Sequence, residues 1–390
     1  MLINSSVFFP DRYENMILKD PGDVASSGCF SVVKSSDDLK VFENPGLKKW
    51  MQHKKFVVFG TGGSCLGGQC ISAIFPGDNV RFVNNLDPLT LKKVFSEINF
   101  EETGFLCISK SGETLETICL TLSALDLTEK KEDKFVFITE NKPSSLREIA
   151  NRFDFLCLDH PGDIGGRFSV FSIVGMLPAA LCGIDPMKIR FGGRKILEKH
   201  LSEPKSGAAF VAKNFRDGKN LHVSFFYSDR LETFGKWLAQ LYAESTGKSG
   251  VGITPITAMG AVDQHSQLQL YLDGCRDKCF SFFWENQKSD FSFRENIPSS
   301  FSYLEGKTAA DVFRAQQGGT MTSLLEKNIP VRKIEIPEIT PEILGELFMY
   351  FMLEVVFVCK EINVNPFDQP AVEYGKKITK DILSLKSDSC

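Results

Sequence analysis

Basic charge is not in surplus here. The 45 Lys and Arg residues stand against 49 Asp and Glu, giving a net charge of -4 with His neutral. A chain that follows a phosphate backbone needs a cationic stripe or arm, and no such patch occurs, so nucleic acid is not expected as a partner. An anionic small molecule would need only local positive charge. Long apolar runs are also missing. Phe168–Ile184 and Leu347–Cys359 both fall short of the roughly twenty residues that span a bilayer. The first contains Gly175 and Pro178 and the second Glu354, so both read as buried helices of a large core and no membrane partner is expected. The opening MLINSSVFFPDRYENM lacks the basic start and apolar stretch of a secretory leader, and a cytoplasmic protein is expected. Cys275 and Cys279 have no matching Cys/His pair elsewhere, so no zinc site is expected. The eleven cysteines, among them Cys107, Cys119, Cys157 and Cys182 in apolar patterns, read as reduced thiols and not as a disulfide framework. No tract is of low complexity.

What the chain does have is alternation. Its 390 residues, 43% hydrophobic and 24% charged, suffice for two or three domains with substantial cores. KFVVFG, FLCIS and KFVFITE are strands set between helical patterns, and HVSFFYS (His222–Ser228) and KCFSFFWE (Lys278–Glu285) repeat the arrangement later. Alternating strands and helices predict an α/β fold, with mainly parallel sheets covered on both faces and sites at the carboxyl ends of strands. The expected division is an N-terminal segment over 1–45, a first domain over 46–195, a linker over 196–219 and a second domain over 220–390. Glu285–Thr308 reads as a long surface segment, after which Pro341–Lys360 returns to an amphipathic helix.

Three stretches carry chemistry. After the strand Lys55–Phe59 comes Gly60-Thr61-Gly62-Gly63-Ser64-Cys65-Leu66-Gly67-Gly68. A dinucleotide fingerprint would need glycine where Cys65 stands. The next strand, Val80–Val83, ends in Asn84 and Asn85 and not in an acid for a ribose. What remains is a turn whose backbone can approach a ligand closely and where Ser64 can donate to it. The strand Gly104–Ile108 ends in Ser109-Lys110-Ser111-Gly112-Glu113-Thr114, followed by apolar residues at helical spacing. Unpaired N–H groups at a helix start, three hydroxyls and a lysine suit a phosphate, though one hydroxyl there also fits an ordinary cap. Finally, Glu244 and His265 lie about twenty residues apart in a segment rich in Gly, Ser, Thr and Gln. Leu231, Phe234, Leu238, Leu241 and Tyr242 share one helical face, which places Glu244 in the last turn before Gly247. The negative end of the helix dipole there disfavours the carboxylate charge and raises its basicity. Each residue also has a plainer reading. Glu244 and Lys376 fit surface positions, His265 fits a first-turn residue behind an Asp263 cap, and Arg167 fits a partner for Asp163.

The motifs FGTGGSCLGG, ISKSGETLET, GGRFSVFSIVGMLPAALCGID, AESTGKSG, GAVDQHSQLQLYLDG and NPFDQPAVEYGKK occur in that order. Together they resemble the glucose-6-phosphate isomerase family, from about Lys54 to about Lys380. The resemblance implies two doubly wound, three-layer αβα sugar-isomerase (SIS) domains. It also implies interconversion of glucose 6-phosphate and fructose 6-phosphate in glycolysis and gluconeogenesis, with no cofactor and no metal. Glu244 then resembles the base that moves a proton between C1 and C2, and His265 the group that assists ring opening from the neighbouring subunit of a homodimer. Arg167 resembles the cation that steadies the enediolate, and Lys376 a second cation near the ring oxygen. Ser109, Lys110, Ser111 and Thr114 match the phosphate loop, while Gly63, Ser64 and Gln369 match substrate contacts. Thr61 and Glu113 depart from the usual pattern beside the ligand, and the chain is short for the family. A broader enzyme that also takes mannose 6-phosphate, or a non-catalytic SIS sensor of sugar phosphates, are the alternatives. The joint presence of Glu244, Arg167, His265 and Lys376 counts against the sensor.

Overall fold

The computed structural model of the chain describes residues 4–7, 27–75, 77–128, 132–289 and 291–385. Most of the expected N-terminal segment therefore lies outside the described residues. Among the described residues, ten strands form two sheets. They are β1 (Asn4–Val7), β2 (Lys55–Phe59), β3 (Val80–Val83), β4 (Thr103–Ile108), β5 (Phe135–Thr139), β6 (Leu156–Asp159), β7 (Leu221–Tyr227), β8 (Thr254–Met259), β9 (Lys278–Glu285) and β10 (Val331–Ile336). The first sheet runs β3-β2-β4-β5-β6 and is parallel throughout. The second runs β1-β10-β9-β7-β8 and is parallel except for β1, which lies antiparallel on β10. The α/β architecture with mainly parallel sheets is the one the alternation predicts.

Both faces of the first sheet are buried at its central strands β2, β4 and β5, which is why these are apolar at successive positions and not only at alternate ones. Val57, Phe59, Phe105, Cys107, Phe135 and Phe137 pack on one side, and Phe56, Val58, Leu106, Ile108, Val136 and Ile138 on the other. Phenylalanine carries much of this. The rings of Phe59, Phe105 and Phe135 stack across adjacent strands at 5.7 and 5.0 Å, and Phe226 and Phe283 stack at 4.3 Å in the second sheet.

The helices are α1 (Gly28–Ser31), α2 (Pro45–Trp50), α3 (Leu66–Ile74), α4 (Pro88–Glu97), α5 (Leu115–Leu127), α6 (Ser145–Arg152), α7 (Ile173–Leu181) and α8 (Pro186–Lys199). They continue with α9 (Ser202–Arg216), α10 (Glu232–Thr246), α11 (Val262–Ser266), α12 (Leu268–Asp273), α13 (Ala309–Glu326), α14 (Pro341–Glu361) and α15 (Glu373–Ser384). Residues 196–219, expected as a linker, hold the end of α8 and the whole of α9, with Pro204, Gly207, Phe210 and Val211 buried. Helix α14 is not amphipathic as expected. Of its 21 residues 18 are buried, and its two central acids are matched internally, Glu346 by Lys195 and Glu354 by Arg332. It crosses α8 closely, because a Cβ on Gly192 would stand 1.9 Å from the Glu342 carbonyl oxygen and one on Gly345 1.9 Å from that of Ile189. Residues 286–289 and 291–308 are mostly exposed and irregular, with a 3-10 helix at Ser299–Leu304, as expected for the surface segment; Glu285, expected to open it, is instead buried at the end of β9. Among the described residues, no helix is long and apolar enough to cross a membrane. Ten cysteines are described and all are free. Cys107 is buried as expected, whereas Cys119, Cys157 and Cys182 are half-buried.

Candidate active site

The register of the first sheet brings two of the loops together. β2 and β4 are neighbours with Phe59 opposite Cys107, so the glycine turn and the Ser109–Thr114 loop leave adjacent strands at their carboxyl ends. The turn continues as a short 3-10 helix, Gly62–Ser64, into α3. Its approach to the neighbouring backbone requires glycine. A Cβ on Gly63 would lie 2.1 Å from the Gly166 carbonyl carbon and 2.6 Å from the Arg167 nitrogen. Gly63 and Ser64 are thus set against the Gly-Gly-Arg segment, where residues Gly166–Phe171 form another 3-10 helix.

Arg167 is the centre of the site. It is 2% exposed, and all five guanidinium donors are used. Nε donates to Ser245 Oγ at 2.9 Å, and Nη1 donates to Glu244 Oε2 at 3.1 Å and Gln369 Oε1 at 2.7 Å. Nη2 donates to the Pro366 and Asp368 carbonyl oxygens. Arg167 does not pair with Asp163; it joins the end of α10 to the segment leading into α15. Burial pushes its guanidinium below the usual arginine value, and Glu244 opposes that shift.

Helix α10 ends at Thr246 with Gly247 as its cap, so Glu244 does occupy the last turn. Its carboxylate is one-third exposed and has two donors, Arg167 and, one turn back on the same face, Gln240 Nε2 at 2.8 Å. Lys248 Nζ donates to the carbonyl oxygens of Glu244 at 2.7 Å and Ser245 at 2.6 Å, and Asp368 Oδ1 lies 3.6 Å away. These bonds satisfy carbonyls that a helix end leaves without partners. Burial, and after it the nearby Arg167, lower the Lys248 ammonium below its usual value.

In the second loop, Ser109 and Thr114 hydroxyls lie 2.8 Å apart, and Ser109 Oγ accepts from the Gly112 N–H. Ser111 Oγ accepts from the Glu113 N–H at 3.2 Å. Thr114 is the N-cap of α5 yet makes no side-chain cap bond, so capping does not account for the hydroxyls. Lys110 Nζ donates to the Gly162 carbonyl at 2.9 Å and lies 3.5 Å from Glu140 Oε1, which leaves one of its three donors. Burial alone would raise the Glu140 carboxyl, but Lys142 and Lys110 hold it below the usual range. Glu113 turns away from the loop. Its two carboxylate oxygens accept from the N–H (2.6 Å) and hydroxyl (2.8 Å) of Ser145, at the positive start of α6.

The structure therefore gathers Gly63, Ser64, Arg167, Glu244 and Gln369, with Ser109, Lys110, Ser111 and Thr114 on the adjacent strand end. It does not gather Lys376 or His265 with them. Lys376 is 67% exposed on α15 and paired with Glu373 on its own helix. His265 is exposed on α11, beyond the edge strand β8. Asp263 is not the cap of α11. Its carboxylate accepts from the Met259 N–H and the Ser266 hydroxyl, both at 2.7 Å. Gln240 and Lys248 do not stand out in the sequence, although the position one turn before Glu244 on its helix points to Gln240 once Glu244 is chosen; Lys248 lies two residues past the helix end. Among the described residues, no group of three or more His, Cys, Asp or Glu side chains is placed to hold a metal ion.

The phosphoglucose isomerase family profile matches residues 47–390. A glucose-6-phosphate isomerase of Methanocaldococcus jannaschii is 34% identical over 391 residues, covering 96% of this chain and 93% of that protein. Among solved structures, a hypothetical protein from Thermus thermophilus superposes with a TM-score of 0.83 at 30% identity, covering 93% of this chain and 92% of that one. A glucose-6-phosphate isomerase from Chlamydia trachomatis has the same fold, with a TM-score of 0.78 at 21% identity over 97% of this chain and 78% of that one.

Proposed function

The chain belongs to the phosphoglucose isomerase family, and from that premise we propose how its residues divide the work of interconverting glucose 6-phosphate and fructose 6-phosphate. The chain is an aldose–ketose isomerase, and its reaction passes through a cis-enediolate. One base must serve both carbons, and a positive group must meet the charge that develops on oxygen. Glu244 is the base that carries the proton between C1 and C2. Arg167 lies beside it with every N–H engaged, so its fixed charge, more than a free donor, bears on the enediolate. The observation that carries this reading is the Nη1 bond from buried Arg167 to Glu244, made where the glycine turn packs against Arg167.

Ser109, Lys110, Ser111 and Thr114 hold the phosphate at the start of α5, where the N–H groups and the helix dipole favour an anion. Gly63, Ser64 and Gln369 contact the sugar, and Gln240 fixes the carboxylate of Glu244. Lys376 approaches the ring oxygen once its pairing with Glu373 is given up. His265 assists ring opening from a second copy of the chain, which makes the working unit a homodimer, and its exposed position on α11 agrees with that role. The protein works in the cytoplasm on the glycolytic and gluconeogenic sugar phosphates. The two domains divide at 46–195 and 220–390, with 196–219 as the connection.

Glu244→Gln tests the assignment. It keeps the side-chain volume but removes the base, so kcat should fall about 10²- to 10⁴-fold with an unchanged melting temperature. Wild-type turnover in that variant would refute it.

A further inference from the structure

A second cationic site lies at the opposite end of the second domain's sheet from the strand ends where such folds usually bind ligands. It is a cavity of about 280 Å³ at the amino ends of β7, β9 and β10. Lys219, Arg276, Lys278 and Lys327 line it. Lys278 is paired with Asp277, and its Nζ also donates to the Cys275 carbonyl. Lys219, Arg276 and Lys327 make no ion pair with a carboxylate among the described residues. Helices α12 and α13 end here, with Lys327 as the cap of α13. Each helix end contributes about half a negative charge. With Asp277 they leave the cavity with an excess of roughly two positive charges.

The floor has a different character. Tyr271 is 2% exposed and its hydroxyl is already bonded to Gln267 Oε1, so it offers a ring face and no polar atom, and Ile329 and Pro330 continue that apolar surface. A cationic rim over an apolar floor, with a volume near the lower end for small-ligand pockets, suits a ligand with a carbon body and two negative charges. Arginine and lysine together favour phosphoryl oxygens, through a planar fork and a point charge.

We propose that this cavity is a binding site for a small phosphate-ester or diphosphate anion, separate from the Ser109–Thr114 loop. None of its residues takes part in the isomerisation proposed above, so the two sites can be tested apart. Cys275 supplies a local reporter, since it lines the cavity and is the exposed cysteine among the described ones.

The experiment follows alkylation of Cys275 in the full-length protein by iodoacetamide, read by peptide mapping, with inorganic pyrophosphate titrated at constant ionic strength. The expected result is a saturable slowing, about tenfold when pyrophosphate is at ten times its dissociation constant. It should be lost in the Arg276→Glu/Lys327→Glu variant while isomerase activity and melting temperature are retained. If that variant folds poorly, Lys327→Gln should weaken the protection. Occupancy of the Ser109–Thr114 loop would not register at Cys275. No saturable slowing in the wild-type chain, or equal slowing in folded charge-altered variants, would overturn the proposal.

Discussion

Gly63 is the residue whose identity the site tolerates least. Its missing Cβ would meet the carbonyl carbon and oxygen of Gly166 at 2.1 and 2.2 Å and the Arg167 nitrogen at 2.6 Å, all backbone atoms with no rotamer to change. Gly63→Ala should therefore separate the glycine turn from Arg167. The expected outcome is a loss of about 1–3 kcal/mol of stability in denaturant titrations, together with a fall in kcat/KM. Two histidines make a different prediction. Burial holds His222 well below, and His160 below, the usual value of 6.5, because the interior disfavours an imidazolium. As pH falls through about 6.5 the unfolded chain takes up protons that the folded chain refuses, so their contribution to stability is present above that pH and declines below it. Melting temperatures compared on the two sides of that value, about one pH unit above and one below, should show the drop. Replacing His222 by a neutral residue that keeps its bond to Ser281, such as His222→Gln, should reduce it. At this scale the placement of Glu244 in the last turn of its helix was legible from the apolar spacing; the roles proposed for Glu244, Arg167 and the Ser109–Thr114 loop came from the ordered motifs, because each residue alone has a plainer reading. Gln240 on the helix and Lys248 just past its end were not legible, because a polar residue at either place is unremarkable until its partner is known.

Helix α10 carries the proposed base, and a polar network anchors it to α14 and the second sheet. Tyr242, two residues before Glu244, donates its hydroxyl to Glu354 on α14. Glu354 receives both Arg332 nitrogens, at 2.5 and 2.8 Å, and Arg332 Nε reaches Ser281 on β9 at 2.6 Å. Arg332 and Glu354 are 1% and 0% exposed, so neither charge has water to turn to. Glu354→Ala leaves the guanidinium buried and unpaired. It should cost about 3–5 kcal/mol in urea unfolding, whereas an apolar replacement of both partners should recover most of that. Elements were readable where their pattern was pure. The strands Lys55–Phe59, Val80–Val83 and Lys278–Glu285 agree with β2, β3 and β9 to the residue. β6 and β8 are hidden because they are edge strands with half-buried residues, and Pro255 interrupts the pattern of β8. β10 reads VRKIEI, where the adjacent Arg332 and Lys333 break the period of two and hide a strand that lies between two others. α14 reads as amphipathic because glutamates in a sequence point to solvent, whereas here the half-buried Lys195 and the buried Arg332 meet them.

For the whole molecule, the proposed site forms where the carboxyl ends of the first sheet meet the end of α10 and the segment before α15. A set drawn from so many elements can be read in sequence only as separate motifs. The positions of His265 and Lys376, away from Glu244, follow from the exposure of α11 and α15 and were beyond what spacing could supply. The proposed homodimer predicts complementation. Glu244→Gln and His265→Ala chains, each inactive alone, should regain part of the activity when mixed as hybrids, while hybrids without activity would place both groups on one chain. The most direct test of the account is conversion of fructose 6-phosphate by the wild-type chain in D2O with EDTA present, with the product followed by NMR. The account predicts glucose 6-phosphate whose C2 hydrogen is partly the proton taken from C1 and partly solvent deuterium, acquired while Glu244 holds that proton. A folded protein that forms no glucose 6-phosphate would contradict it.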